Sequence, residues 1–402
     1  MHSTRYFKYK TTPDIFLNIS HFLDHLIMLI FAKAAYDAAS YFKLTYEDFI
    51  IYGVFGFVLF GGAAPAAAYL ADKYSRPILL VIFHFGIGIS AIFAGLSSNP
   101  LQLAISIGFI GIFASIYHPV GIAMLIQNNK KIGFRLGING VFGNMGVAAA
   151  PLITGILLTY GNWSICFIAP GIACLMYGVL FLTSFKPGGK SNLLEKNWSS
   201  AKFAPNWYRV LTALIIATCS GGFIFGSMTF FIPRYFEISL ENVTSSILLT
   251  GVLASVVYAI SSFTQIYVGW LIDKFSPKLI LLLIGVGQFI CISLSSVTND
   301  LTLFVIMILA MGFVFGQIPI TDTILSRYVP ETHRTKILSI KFLLNLSAGA
   351  LVLPVSSIML KSGFHISSLF SVLGLIAILV IISALLLPSQ KTSERLDLSS
   401  NI

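Results

Sequence analysis

Two charged stretches decide the reading of this chain: Ala68-Tyr69-Leu70-Ala71-Asp72-Lys73-Tyr74-Ser75-Arg76 and Gly269-Trp270-Leu271-Ile272-Asp273-Lys274-Phe275-Ser276-Pro277-Lys278. Each closes one long apolar run and opens the next. The two aspartates stand 201 residues apart in a chain of 402, and Asn144 and Asn345 share that offset. The chain therefore reads as a duplication.

Outward from these stretches, apolar runs fill nearly the whole sequence. They cover residues 14–39, 48–71, 78–97, 100–126, 133–160, 163–185, 208–232, 245–271, 278–298, 300–326, 337–360 and 364–387. A helix of about 20 residues crosses a hydrocarbon core of roughly 30 Å. Apolar residues make up 56% of the chain and charged ones 10%, too little charge for a water-facing surface. The expected fold is all-α and integral to a membrane, with twelve transmembrane helices in two pseudo-symmetric six-helix bundles. The expected division is residues 1–185, a polar linker at 186–207, and residues 208–402.

The net charge of +10 does not point to nucleic acid, because its distribution is one-sided. With the N-terminus inside, 20 of the 25 Lys and Arg residues fall on inside segments, and only Lys43, Arg234 and Lys361 fall on outside loops. This bias predicts both termini in the cytoplasm. No A-x-A-like cleavage site follows a short apolar region, so no signal peptide is expected. Cys166, Cys174, Cys219 and Cys291 all lie within the runs and read as buried thiols, with no metal-site spacing. Gly188-Gly189-Lys190-Ser191 lacks the upstream glycine and the preceding strand of a phosphate loop. No cofactor, metal or enzymatic activity is expected.

The Asp-Lys-x-Ser-Arg pattern of the first stretch resembles the loop signature of the major facilitator superfamily of transporters. Ala68 and Ser75 replace its usual glycines and Pro77 replaces a base; the second copy keeps Gly269 but has Pro277 at the arginine position. Gly146-Val-Ala-Ala-Ala150-Pro151-Leu-Ile-Thr154-Gly155 is similar to the proline motif of antiporter members, with Ala150 and Thr154 in place of two glycines. Gly137, Gly140, Gly143 and Gly146 continue it as a ladder on roughly one face, suited to close helix approach. Ile19-Ser20-His21-Phe22-Leu23-Asp24-His25 and Tyr117-His118-Pro119-Val120-Gly121 are similar to bacterial carriers of the fosmidomycin-resistance kind.

Ionisable groups inside a bilayer cost a few kcal/mol each and mark function. His21, Asp24 and His25, at i, i+3 and i+4, share one face of the first segment. Histidine titrates near neutral pH, so the trio suits proton coupling. A static hydrogen-bonded cluster or direct substrate contact are the alternatives. His118 and Asp322 lie on the fourth and tenth segments, which the resemblance places, with the first and seventh, around a central cavity. Lys33, Asn144 and Asn345 complete the candidate cavity set. Asp37, four residues beyond Lys33, reads as its ion-pair partner or as a partner for Arg234 across the halves. Asp322 and Lys341 are candidates for an inner pair. The resemblance further implies a cytoplasmic gate of Asp72, Lys73 and Arg76, with Asp273 and Lys274 as its counterpart.

The function implied is proton-coupled secondary transport of a small organic solute by alternating access, as export by antiport. The alternative is symport import of an anionic metabolite or ferric siderophore, for which the basic groups are suited. A receptor or channel on the same scaffold is more remote, since the short loops leave no sensory domain. The expected setting is a monomer among the lipids of a bacterial cytoplasmic membrane.

Overall fold

A computed structural model describes residues 14–126, 132–184 and 203–388. Within these, the side chains of Asp72, Ile126 and Ser326 and of residues 132–134, 331–336 and 338–339 lie outside the description. The stretch expected as a linker falls mostly outside it too.

Among the described residues, twelve helices are long and apolar enough to cross a membrane: α1 (Asp14–Tyr41), α2 (Tyr46–Ala71), α3 (Arg76–Gly95), α4 (Pro100–Leu125), α5 (Arg135–Tyr160), α6 (Trp163–Ser184), α7 (Trp207–Ser239), α8 (Ile247–Lys274), α9 (Pro277–Ser295), α10 (Asp300–Leu325), α11 (Ile340–Lys361) and α12 (Ile366–Leu386). No strand occurs among the described residues. α7 runs seven residues beyond the expected end at 232. The apolar run stops at Pro233 and Arg234, but the helix continues because both Arg234 and Glu237 find partners inside the protein.

The packing repeats across the halves. α1 lies on α5 as α7 lies on α11, and α3 on α6 as α9 on α12. The halves meet mainly along α5–α8 and α2–α11, two seams related by the same duplication. α2 and α8 both break near their middle, at Ala63 and Phe263. Pro65 explains the first break, since it has no N–H to give the carbonyl four residues back. Phe263 has no such proline.

Small residues bring the helices together, although not as one ladder. A Cβ on Gly146 would lie 2.2 Å from the Phe22 carbonyl oxygen, and one on Gly143 would lie 2.5 Å from the His21 ring. A Cβ on Gly140 would only approach Gln265 at 3.8 Å, and one on Gly137 would meet nothing within 4 Å. Steps of three residues drift about 60° each around a 3.6-residue helix, so the four glycines cannot share a face. At the α5–α8 seam, a Cβ on Gly251 would lie 2.5 Å from the Pro151 carbonyl oxygen.

Gly146→Val should destabilise the detergent-solubilised protein by about 1–3 kcal/mol through overpacking. Gly137→Ala should leave its thermal midpoint unchanged or raise it, since alanine is the better helix former. Equal midpoints for the two variants would refute this account of the α1–α5 contact.

Candidate functional site

α1 starts at Asp14, and Asp24 sits ten residues in, about 15 Å along the helix and half-way through an apolar slab. The i, i+3, i+4 spacing puts His21, Asp24 and His25 on one side of it. α4 brings His118 to the same place. The His118 Nε2 atom lies 3.5 Å from the Asp24 carboxylate. The His25 and His21 Nε2 atoms are 3.1 Å apart, and the His118 ring lies 5.1 Å and 5.5 Å from the rings of His21 and His25.

The cluster is held from behind. The His21 Nδ1 is 2.8 Å from the Asn139 carbonyl oxygen, and its ring stacks on Tyr117 at 4.8 Å. The Asn139 amide donates to Asn18 Oδ1 at 2.9 Å, and the Tyr117 hydroxyl donates to the Leu17 carbonyl at 2.8 Å. On the other side, Phe342 of α11 lies against the His118 ring at 4.7 Å, so the second half closes on the cluster. Asp24 is fully buried, and neither of its oxygens has a hydrogen-bond partner. At the duplicated positions in α7 stand Gly222, Phe225 and Gly226, so the trio belongs to the first half alone. The centre of the second half holds neutral groups instead: Gln288 donates to Gln317, which donates to the Ala217 carbonyl. His84, on α3, is bonded to Ser20 at 3.0 Å and stands apart from the cluster.

A second constellation lies toward the Tyr41 end. Lys33 is buried, is ion-paired to Glu237 of α7 and donates to Thr250 of α8 at 2.9 Å. Arg234 pairs with the other Glu237 oxygen at 2.9 Å, with its guanidinium 3.5 Å from the Tyr36 ring centre. The expected partnerships of Asp37 with Lys33 or Arg234 are therefore not formed. Asp37 accepts from the Trp163 N–H at 2.9 Å, satisfying one of the free donors that open α6. Lys33 is correspondingly a tie between helices, not an open cation on a cavity wall.

The remaining candidates are dispersed. Asp322 and Lys341 form an ion pair within the second half, with the aspartate half exposed. Asn144 is buried with its Nδ2 unpartnered, and Asn345 packs on Gly222. Lys73 lies over Tyr69 at 4.3 Å, Lys274 lies over Trp270 at 3.8 Å, and Asp273 is exposed. The gate expected of Asp72 and Arg76 needs the Asp72 side chain, which lies outside the described residues.

Glu237, Thr250, Asn139 and Phe342 were not anticipated from the sequence. Glu237 could have been found from its place three residues after Arg234 in an otherwise apolar stretch. Among the described residues, the ion pairs joining the halves are Lys33–Glu237 and Lys361–Asp48, both toward the Tyr41 end.

Among the described residues, twelve apolar helices in two repeated sets, with ionisable groups gathered where the sets meet, are the build of a multi-pass membrane protein. A sequence model of the Major Facilitator Superfamily matches residues 17–316 and 239–400, and the chain belongs to that family. It is 26% identical over 245 residues to multidrug resistance protein MdtG of Proteus mirabilis, covering 59% of this chain and 60% of that protein. It is 26% identical over 273 residues to MdtG of Yersinia enterocolitica, covering 65% and 64%. The chain thus matches less than two thirds of the length of these relatives. In fold it is similar to a bacterial homologue of the human lysosomal transporter Spinster, in an inward-facing and unoccupied conformation. The TM-score is 0.71 at 14% identity, covering 93% of this chain and 95% of that one. A POT family transporter in complex with 5-aminolevulinic acid gives a TM-score of 0.71 at 15% identity, covering 92% and 94%.

Removing one partner of a buried pair strands the other charge, at a cost of about 3–5 kcal/mol. Glu237→Ala should therefore lower the thermal midpoint far more than Asp37→Asn does. Adding Lys33→Met to Glu237→Ala should recover part of the loss, since Arg234 still lacks its carboxylate. A double variant no more stable than Glu237→Ala would show that the pair does not set this end.

Proposed function

We propose that this chain is a proton-coupled secondary active transporter that exports a small organic solute from a bacterial cell by antiport. One observation carries the proton reading: Asp24 is a carboxylate at mid-membrane, fully buried, with no hydrogen-bond donor on either oxygen. A bare carboxylate is costly there, so a proton is its natural occupant whenever the site is closed. His118 is the neighbour placed to receive or return that proton. Because Phe342 of the second half covers His118, the access of Asp24 to water changes as the halves move. A state-dependent preference for the proton is what coupling requires.

Export is supported by the MdtG relatives and by the Pro151 stretch at the α5–α8 seam. Neutralisation of Lys33 by Glu237 removes the strongest cation from the case for import of an anion or ferric siderophore, leaving only the histidines in its favour. The one-sided Lys and Arg distribution supports cytoplasmic termini in the inner membrane, and so assigns the Tyr41 end to the outside. Lys33, Glu237 and Arg234 then act as the outer latch. Asp322 with Lys341 braces the second half near the cytoplasm, where the Asp72–Arg76 loop and its counterpart at Asp273 and Lys274 form the inner gate. The transporter works as a monomer.

Energised cells lacking their main exporters, preloaded with a panel of lipophilic cations, neutral drugs and carboxylates, test this. Expression of the chain should speed the exit of at least one compound, and a protonophore should abolish the gain. Asp24→Asn should lose the energised exit yet keep exchange of labelled for unlabelled solute in proteoliposomes. Full energised exit by Asp24→Asn would sink the coupling role. Uptake in place of exit would reverse the direction.

A further inference from the structure

We propose that His21, His25, His118 and Asp24 form a binding site for a divalent transition-metal ion of the borderline class, such as Zn2+, Co2+ or Ni2+. The inference goes beyond the transport reading; it uses the same Asp24 and His118, so a bound metal ion and the coupling proton exclude each other there. Its basis is the donor set. One ligand atom from each histidine can be chosen so that all three lie within 4.8 Å of one another. They come from two helices, so the site is made by tertiary packing and not by a single helical turn.

Three details point to a cation. The first is orientation. The His21 Nδ1 faces the Asn139 carbonyl at 2.8 Å, and a carbonyl only accepts, so the proton sits on Nδ1 and the Nε2 lone pair faces the cluster. A ligand histidine is ordinarily fixed by such a bond from its other ring nitrogen. The carbonyl is steadied in turn, since the Asn139 side chain is held by Asn18 and Tyr117.

The second detail is spacing. Bonds of about 2.0–2.1 Å to a tetrahedral centre put neighbouring donor atoms roughly 3.3 Å apart. The two Nε2 atoms of His21 and His25 are 3.1 Å apart, and His118 Nε2 is 3.5 Å from the Asp24 oxygen. Two of the six edges of the tetrahedron are thus already close to length. Among the three histidine atoms, bringing the widest separation in from 4.8 Å needs about 1.5 Å of ring movement, and Asp24 reaches the centre from its contact with His118.

The third detail is charge. Both Asp24 oxygens are excluded from solvent and receive no hydrogen bond from the protein. In the metal-free chain the His25 Nε2–H donates to His21 Nε2; a metal ion takes the place of that proton, which His25 then carries on Nδ1, and satisfies the carboxylate as well. Nitrogen donors disfavour Mg2+ and Ca2+, which take oxygen ligands. Imidazole with one carboxylate suits Zn2+, Co2+ and Ni2+. No thiol joins the group among the described residues, and Cys174 is turned to the His84 carbonyl at 3.4 Å.

The test uses the full chain in detergent, without an affinity tag, stripped with a chelator and titrated with CoCl2. Wild type should bind one Co2+ per chain and develop the intense visible bands of a four- or five-coordinate site, which ZnCl2 then bleaches. His25→Ala and His118→Ala should each weaken binding by about tenfold or more and lose those bands. His365→Ala, at an exposed histidine on the Tyr41 end, should bind as wild type does. Asp24→Asn keeps the size of the side chain, guards against misfolding as the explanation, and should also lose affinity. The inference is overturned if wild type shows only the pale six-coordinate spectrum, or if His118→Ala binds Co2+ unchanged. Solute export by a protein that binds no Co2+ would remove this site and leave the transport reading standing. Co2+ binding without solute movement would do the reverse.

Discussion

A charge inside an apolar slab must find its partner within the chain, because neither lipid nor water will supply one. That constraint organises this molecule more than any single apolar contact. Lys33 has Glu237 and Thr250; Arg234 has Glu237 and the Tyr36 ring. The Lys33 bonds run from one half of the molecule to the other, so satisfying that charge also decides which end of the halves is drawn together. The surface pair Lys361–Asp48 at the same end is about half exposed on both sides and adds little by comparison. Asp24 is the exception to the rule, and the functional reading rests on it.

The close packing that places these groups depends on missing side chains. Gly143 leaves room for the His21 ring against α5, and Gly146 lets α5 lie on the Phe22 carbonyl. Where the halves meet, Gly251 accepts the Pro151 carbonyl in the same way. In lipid, helix association gains nothing from removing apolar surface from water. Contact of this kind therefore depends on dispersion and fit. The two seams, α5–α8 and α2–α11, are copies of each other, so the contact between the halves is kept apart from the packing inside each half.

Much of this was legible in the sequence, for physical reasons that also mark where legibility ends. The spans could be read because bilayer thickness fixes a minimum apolar length. The duplication could be read because Asp72 and Asp273 repeat at half the chain length. The one-face grouping of His21, Asp24 and His25 follows from helix periodicity, but the rotation of α4 that adds His118 does not. Asn139 was invisible because the atom that acts is its backbone carbonyl, which every residue possesses. Glu237 was missed because hydropathy ends the seventh span at residue 232, while the helix runs on to Ser239. The glycine ladder misled because a spacing of three resembles the helical repeat over one step and departs from it over several.

Glu237 has one more consequence. Its two oxygens serve two masters: Lys33 in the opposite half, and Arg234 one turn away on its own helix. On the proposed reading of this end as the outer latch, Lys33 is carried off when the halves part, but Arg234 travels with the carboxylate. The acid is never stripped bare on the way to the open state. On that reading the seal is a shared anion whose second cation is resident, so it can break and re-form many times without passing through a lone charge on that side. A door that must swing at every turnover is better served by such a clasp than by the strongest bond available.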